Sequence, residues 1–295
     1  MNILQRLSEI NELPTLPEVV LRIQAMINDD DSNVKMLARI IEQDPALTSK
    51  ILRIANSSFY SSSQRITSIP LAITRIGFNE VGHIALAITV VKKFSGNSNI
   101  LDYRQFWRHS LTSAFLNSTI AKVSELDFSN EERQALFLSG LLHDIGILIY
   151  DQFFHDEFET IIQYSFDKKM TFLEAEKLIA PYETHAAVGA ALLEVWKTNP
   201  LVTSGVRFHH MPHKAPVNHK SIVSAANFTE YILCNSGMEC FEGFISEGDK
   251  NVINHLQITP DSLSEYIKQA EYEVERSELI LAMNTTNDIM QLRAI

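Results

Sequence analysis

Leu141-Leu142-His143-Asp144-Ile145-Gly146 decides how this chain is read. An apolar run ends there on an adjacent imidazole and carboxylate, donors that suit a borderline or hard divalent cation. Gly146 lets the main chain turn without a β-carbon where both side chains must converge. Alone, a His-Asp pair is more often a buried hydrogen bond than a ligand set. The rest of the chain shifts that balance, because His109 stands upstream in Phe106-Trp107-Arg108-His109-Ser110. Downstream come His185, in Thr184-His185-Ala186-Ala187, and the adjacent His209-His210. Five imidazoles and one carboxylate, each near an expected helix end, are a succession that chance rarely produces.

Around that stretch apolar residues recur at helical spacing and sustained alternation is missing, so the chain reads as all-α. Start signals are frequent. Asp44-Pro45 supplies an N-cap and a proline at the first helical position, ahead of Leu47, Ile51, Leu52 and Ala55 on one face. Ser129 with Glu132 and Thr171 with Glu174 have the form of capping boxes. Asn199-Pro200 opens a helix carrying Val202, Val206 and His209, which Pro212 ends just beyond His210, and Thr259-Pro260 opens another.

The 295 residues can bury a substantial core, and 45% hydrophobic with 21% charged residues is an ordinary globular balance. Cys234 and Cys240 have neither the number of a disulfide framework nor a zinc-ribbon spacing, and read as free thiols of a reducing compartment. The N-terminus lacks a basic region followed by an apolar block, and the most apolar run, 84–91, is too short to span a bilayer. A cytoplasmic protein without a membrane partner is expected. The net charge of −11 disfavours non-specific nucleic-acid binding.

The order of the histidines resembles the ligand order of the two-metal branch of the HD phosphodiesterases. The N-terminal part carries a second set of motifs: Leu13-Pro14-Thr15-Leu16-Pro17, Asp44-Pro45-Ala46-Leu47, Lys50-Ile51-Leu52-Arg53-Ile54-Ala55-Asn56-Ser57, Ile66-Thr67-Ser68-Ile69 and Ala72-Ile73-Thr74-Arg75-Ile76-Gly77. With Phe106-Trp107 and the stretch Gly189-Ala190-Ala191-Leu192-Leu193-Glu194-Val195-Trp196, these resemble the HDOD domain, a bacterial signalling relative of the HD hydrolases. That resemblance implies an all-α helical bundle of the HD phosphohydrolase type with an N-terminal helical subdomain. An HDOD-like unit is expected over 13–235, divided into an N-terminal helical part (13–98) and an HD-like part (101–235), with a C-terminal helical extension over 236–295. The polar, glycine-containing stretch around Gly96 is the boundary inside the unit. Asn56, Ser57 and Tyr60 are expected to reach across to the histidine-bearing half as a junction.

Carried over residue by residue, the resemblance implies a first metal site of His109, His143 and Asp144 and a second of Asp144, His185, His209 and His210. Asp144 would bridge the two, since a carboxylate's oxygens can hold cations a few ångströms apart and acidify water between them. Zero, one or two divalent ions (Fe, Mn, Mg, Ni or Zn) are expected per chain. Two departures stand out. The family's late Asp falls on Asn227, a neutral and weaker ligand, and the lysine that follows His-Asp-Ile-Gly in hydrolytic relatives is Ile147. The expected function is therefore a stand-alone signalling module with a degenerate metal site and little or no hydrolase activity, working with a protein partner, a small nucleotide ligand or a second copy of itself. The alternative is an active metal-dependent phosphohydrolase on a nucleotide or cyclic dinucleotide. Oxygen or redox chemistry at a di-iron centre ranks below both. No role is assigned to His83, His155, His213, His219 or His255.

Overall fold

The computed structural model describes residues 5–7, 13–27, 29, 31–60, 64–239 and 248–284. These residues form helices and no strand, so the all-α expectation holds. The chain divides into two compact units, one of 14–95 with 275–295 and one of 1–13 with 96–274.

The N-terminal unit contains α1 (Glu18–Ile27), α2 (Val34–Glu42), α3 (Pro45–Ala55), α4 (Ile69–Ile76) and α5 (Phe78–Lys93). Helix α5 is the hub against which the other four pack. Its Val81, Ile84, Ala85, Ile88 and Val91 are buried together with Ile23 of α1, Leu37 and Ile41 of α2 and Ile51 and Ile54 of α3. The Asp44 carboxylate accepts the Ala46 and Leu47 N–H groups, as the Asp-Pro pair predicts for the start of α3. The hydrogen bonds shown for Asn56, Ser57 and Tyr60 are local ones. Asn56 closes a loop by bonding both the N–H and the carbonyl of Ile66, Ser57 Oγ donates to the Ile54 carbonyl, and Tyr60 donates to Glu80 at 2.6 Å, all within this unit. Their polar groups are used by near neighbours that a linear reading does not reveal.

The histidine-bearing unit contains α6 (Tyr103–Val123), α7 (Asn130–Leu142), α8 (Ile145–Phe153), α9 (His155–Lys168), α10 (Phe172–Ile179), α11 (His185–Val195), α12 (Pro200–Phe208), α13 (Lys220–Asn235) and α14 (Lys250–His255). Both expected capping boxes are formed, at Ser129/Glu132 and Thr171/Glu174. Helix α7 is the hub of this bundle, in contact with α6, α12 and α13, while α8 packs on α11. Helix α12 stops at Phe208, before Pro212 requires it to, because His209 Nδ1 captures the Val206 carbonyl and the Met211 N–H closes back on Phe208. A final helix, α15 (Pro260–Ala282), runs through residues assigned to both units. Among the described residues of the stretch 236–295, 236–239 and 248–274 group with the histidine-bearing unit and 275–284 with the N-terminal one. Cys240 lies outside the described residues. Among the described residues no single helix is long and apolar enough to cross a membrane.

Candidate metal centre

Helices α7 and α8 meet at His143-Asp144, and the break between them aims both side chains inward. His143 keeps helical angles as the C-cap of α7 and its Nδ1–H donates to the Gly140 carbonyl at 2.7 Å. Asp144 then leaves the helical region (φ −100°, ψ 10°) before α8 begins. The same local device recurs at the end of α12, where C-cap His209 donates from Nδ1 to the Val206 carbonyl at 2.7 Å. His185 starts α11, and its Nδ1–H donates to Glu176 Oε2 at 2.9 Å while its main-chain N–H donates to Oε1 at 2.5 Å. His109 lies inside α6 and donates from Nδ1 to the Met238 carbonyl at 2.8 Å. In all four rings Nδ1–H is directed to an acceptor, so Nε2 is the atom turned toward Asp144.

All six residues named from the sequence come together. Asp144 stands at the centre with its two oxygens facing different nitrogens: Oδ2 is 3.2 Å from His143 Nε2 and 3.7 Å from His109 Nε2, and Oδ1 is 3.4 Å from His185 Nε2 and 3.5 Å from His209 Nε2. His109 and His143 meet at 3.0 Å, His185 and His209 at 3.4 Å, and His185 and His210 at 3.1 Å, each through Nε2. The result is two donor groups sharing one carboxylate, His109/His143/Asp144 and Asp144/His185/His209/His210.

These spacings suit a cation. Ligands at about 2.1 Å stand about 3.4 Å apart on adjacent corners of a tetrahedron and about 3.0 Å apart on an octahedron. The observed donor pairs cluster between those values. Electrostatics divide the centre: burial would raise the Asp144 carboxyl but the charge of His143 beside it holds it well below the usual carboxylate range, while the carboxylates beside His143 and His185 outweigh burial and push both imidazoles up in the metal-free chain. Burial keeps His209 and His210 below the ordinary imidazole value, and their neighbouring imidazoles add to this, so both favour the neutral, ligating form.

Two carboxylates in this centre are not visible in the motif order. Glu176, fully buried, orients His185 from α10. Glu230, 1% exposed on α13, places Oε2 3.1 Å from His109 Nε2 and 3.4 Å from His143 Nε2. Asn227, one turn earlier, does not face those histidines with a donor shown on them: its Nδ2 donates to the His209 carbonyl at 2.7 Å. Ile147 is fully buried in the core. A signal for Glu230 existed in the sequence, an acidic residue inside the apolar stretch Ala225–Leu233, where an unpaired carboxylate is costly.

The HDOD domain pattern matches residues 13–212, more than half of the chain. The chain belongs to the HDOD family. Relatives of this HDOD protein include an uncharacterised protein of Treponema pallidum (strain Nichols), 26% identical over 232 residues that make up 74% of this chain and 42% of that protein. The chain therefore spans less than half the length of that relative. YuxH of Bacillus subtilis (strain 168), also uncharacterised, is 40% identical over 55 residues, 19% of this chain and 13% of YuxH. Among solved structures, an HDOD domain protein of unknown function from Geobacter sulfurreducens superposes with a TM-score of 0.74 at 26% identity, covering 95% of each chain. A candidate signal transduction protein from Marinobacter aquaeolei VT8 (TM-score 0.73, 22% identity, 96% of this chain and 62% of that one) shares the HDOD fold. So does a candidate phosphohydrolase from Shewanella amazonensis SB2B (TM-score 0.68, 22% identity, 95% and 97%).

Proposed function

We propose that this HDOD protein is a metal-dependent hydrolase of phosphate esters in a signalling pathway, with a nucleotide or cyclic dinucleotide as its substrate class. One cation would be held by His109, His143 and Asp144, the other by Asp144, His185, His209 and His210. The observation that carries the reading is Asp144, buried and central, with one oxygen turned to each nitrogen group. Two divalent cations there would polarise a phosphoryl oxygen and acidify water near neutral pH. The chain's own contribution is orientation: the Gly140, Val206 and Met238 carbonyls and the Glu176 carboxylate hold four rings with Nε2 inward, so little reorganisation remains when a ligand arrives. Three imidazoles and one carboxylate favour Zn, Fe, Mn or Ni over Mg at the second position.

A second reading, a signalling module whose cations are structural and whose output is contact with another protein, is favoured by burial. His109, His143, Asp144, His185 and His209 are each at most 2% exposed, and Ile147 brings no phosphate-facing charge. Turnover separates the two. The whole chain, loaded with Mn²⁺ or Fe²⁺, is expected to cleave a phosphodiester from a panel of cyclic dinucleotides, nucleotides and aryl phosphates, and Asp144→Ala is expected to abolish this while retaining helicity. Metal uptake without turnover across that panel would move the protein to the second reading.

A further inference from the structure

We propose that Glu230 is the carboxylate that closes the first cation pocket, in place of the family's acidic residue at position 227, and that Cys234 is the positioning residue that holds it there. The proposal rests on the two-cation reading above and adds to it a ligand that the motif order does not supply.

Glu230 approaches the same two nitrogens that face Asp144 Oδ2. His109 Nε2 and His143 Nε2 are 3.0 Å apart, Glu230 Oε2 lies 3.1 and 3.4 Å from them, and Asp144 Oδ2 lies 3.7 and 3.2 Å from the same two nitrogens. Both rings use their Nδ1 proton on a main-chain carbonyl, so Nε2 is the atom each turns to the two carboxylates, and each offers a lone pair there when neutral. Two carboxylates this close need positive charge among the four atoms; in the metal-free chain a proton on His143 supplies it, and a bound cation would take that proton's place. Among the described residues the ion-pair partners of Glu230 are these two imidazoles, with no Lys or Arg beside them.

The other oxygen of Glu230 is tied down from the same helix. Cys234 Sγ donates to Oε1 at 3.0 Å, one turn further along α13, which fixes the carboxylate with Oε2 turned toward the histidines. Asn227 Nδ2 holds the His209 carbonyl and so the turn that carries His209-His210, while its Oδ1, a neutral and weaker donor than a carboxylate, is buried with no hydrogen-bond partner shown. Moving the carboxylate from 227 to 230 keeps it on the same face of α13, because a step of three residues is close to one helical turn. The first pocket then has two nitrogens and two carboxylates and the second three nitrogens and one, so the first carries more negative charge and favours the harder ion.

The test is Mn²⁺ stoichiometry and affinity of the chelator-stripped full chain, read by the loss of the free Mn²⁺ electron-paramagnetic signal and by elemental analysis, with melting curves to show that each variant is folded. Wild type is expected to bind two ions, Glu230→Gln one, and Glu230→Gln with His185→Ala none. Cys234→Val is expected to weaken the first pocket alone by about 10-fold or more, with Cys234→Ser restoring it. Wild type binding no Mn²⁺ would overturn the two-cation reading and this proposal with it. Two ions bound by folded Glu230→Gln would overturn the proposal and leave the centre standing. Equal first-pocket affinity in Cys234→Val and wild type would remove Cys234 from it.

Discussion

Glu176 grips His185 twice, accepting from its main-chain N–H at 2.5 Å and from its Nδ1–H at 2.9 Å, so a buried carboxylate on α10 sets both the start of α11 and the ring that faces Asp144. The His185 imidazole is accordingly pushed up to about 10 in the metal-free chain. Burial lowers it, but the charges of Glu176 and Asp144 outweigh burial.

A raised folded-state value has a definite pH signature. Its stabilisation is fully present below the unfolded imidazole value of about 6.5 and is lost as pH rises through about 10. The urea midpoint of the metal-free chain is expected to fall between pH 7 and pH 10, and Glu176→Gln to lower the midpoint at pH 7 and flatten that fall. A Glu176→Gln profile parallel to wild type would remove the carboxylate from this role. Bound metal requires neutral His185, so the loaded chain is expected to gain stability over the stripped one as pH rises toward 8.

Gly146 has no room for a side chain. A β-carbon there would overlap the His185 carbonyl oxygen and stand 2.9 Å from the Gly189 nitrogen, main-chain atoms that cannot rotate away. Gly146→Ala is expected to separate α8 from α11, costing about 3 kcal/mol of unfolding free energy and lowering second-pocket metal affinity together. Denaturant melts and metal titration on the same sample check this, and a fully stable variant that still binds two ions would contradict it.

Restoring the family's residues is expected to harm this protein. From sequence alone, Asn227→Asp with Ile147→Lys would be expected to raise metal occupancy. The structure argues the reverse. Asn227→Asp removes the amide that donates to the His209 carbonyl and puts an acceptor in its place, and Ile147→Lys puts an ammonium in a fully buried apolar position. Asn227→Asp is expected to cost about 1–3 kcal/mol, and Ile147→Lys several. Thermal melts of the two single variants decide it, together with metal occupancy of Asn227→Asp.

Much of the fold and part of the centre were legible without coordinates, where the information is local. Capping boxes at Ser129/Glu132 and Thr171/Glu174 and the Asp44-Pro45 start depend on residues three or fewer apart, and each formed as read. The six residues from His109 to His210 were named because the order of ligand types along a chain survives in the letters. Tertiary structure alone decided the rest. Glu230 meets His109 across a separation of more than a hundred residues, Asn227 is bound to a carbonyl, and Tyr60 pairs with Glu80. A side chain's type is written in the sequence, but which neighbour satisfies its charge or hydrogen bond depends on how helices pack. A shift of three residues along α13 changes the name of a ligand without changing the face it occupies.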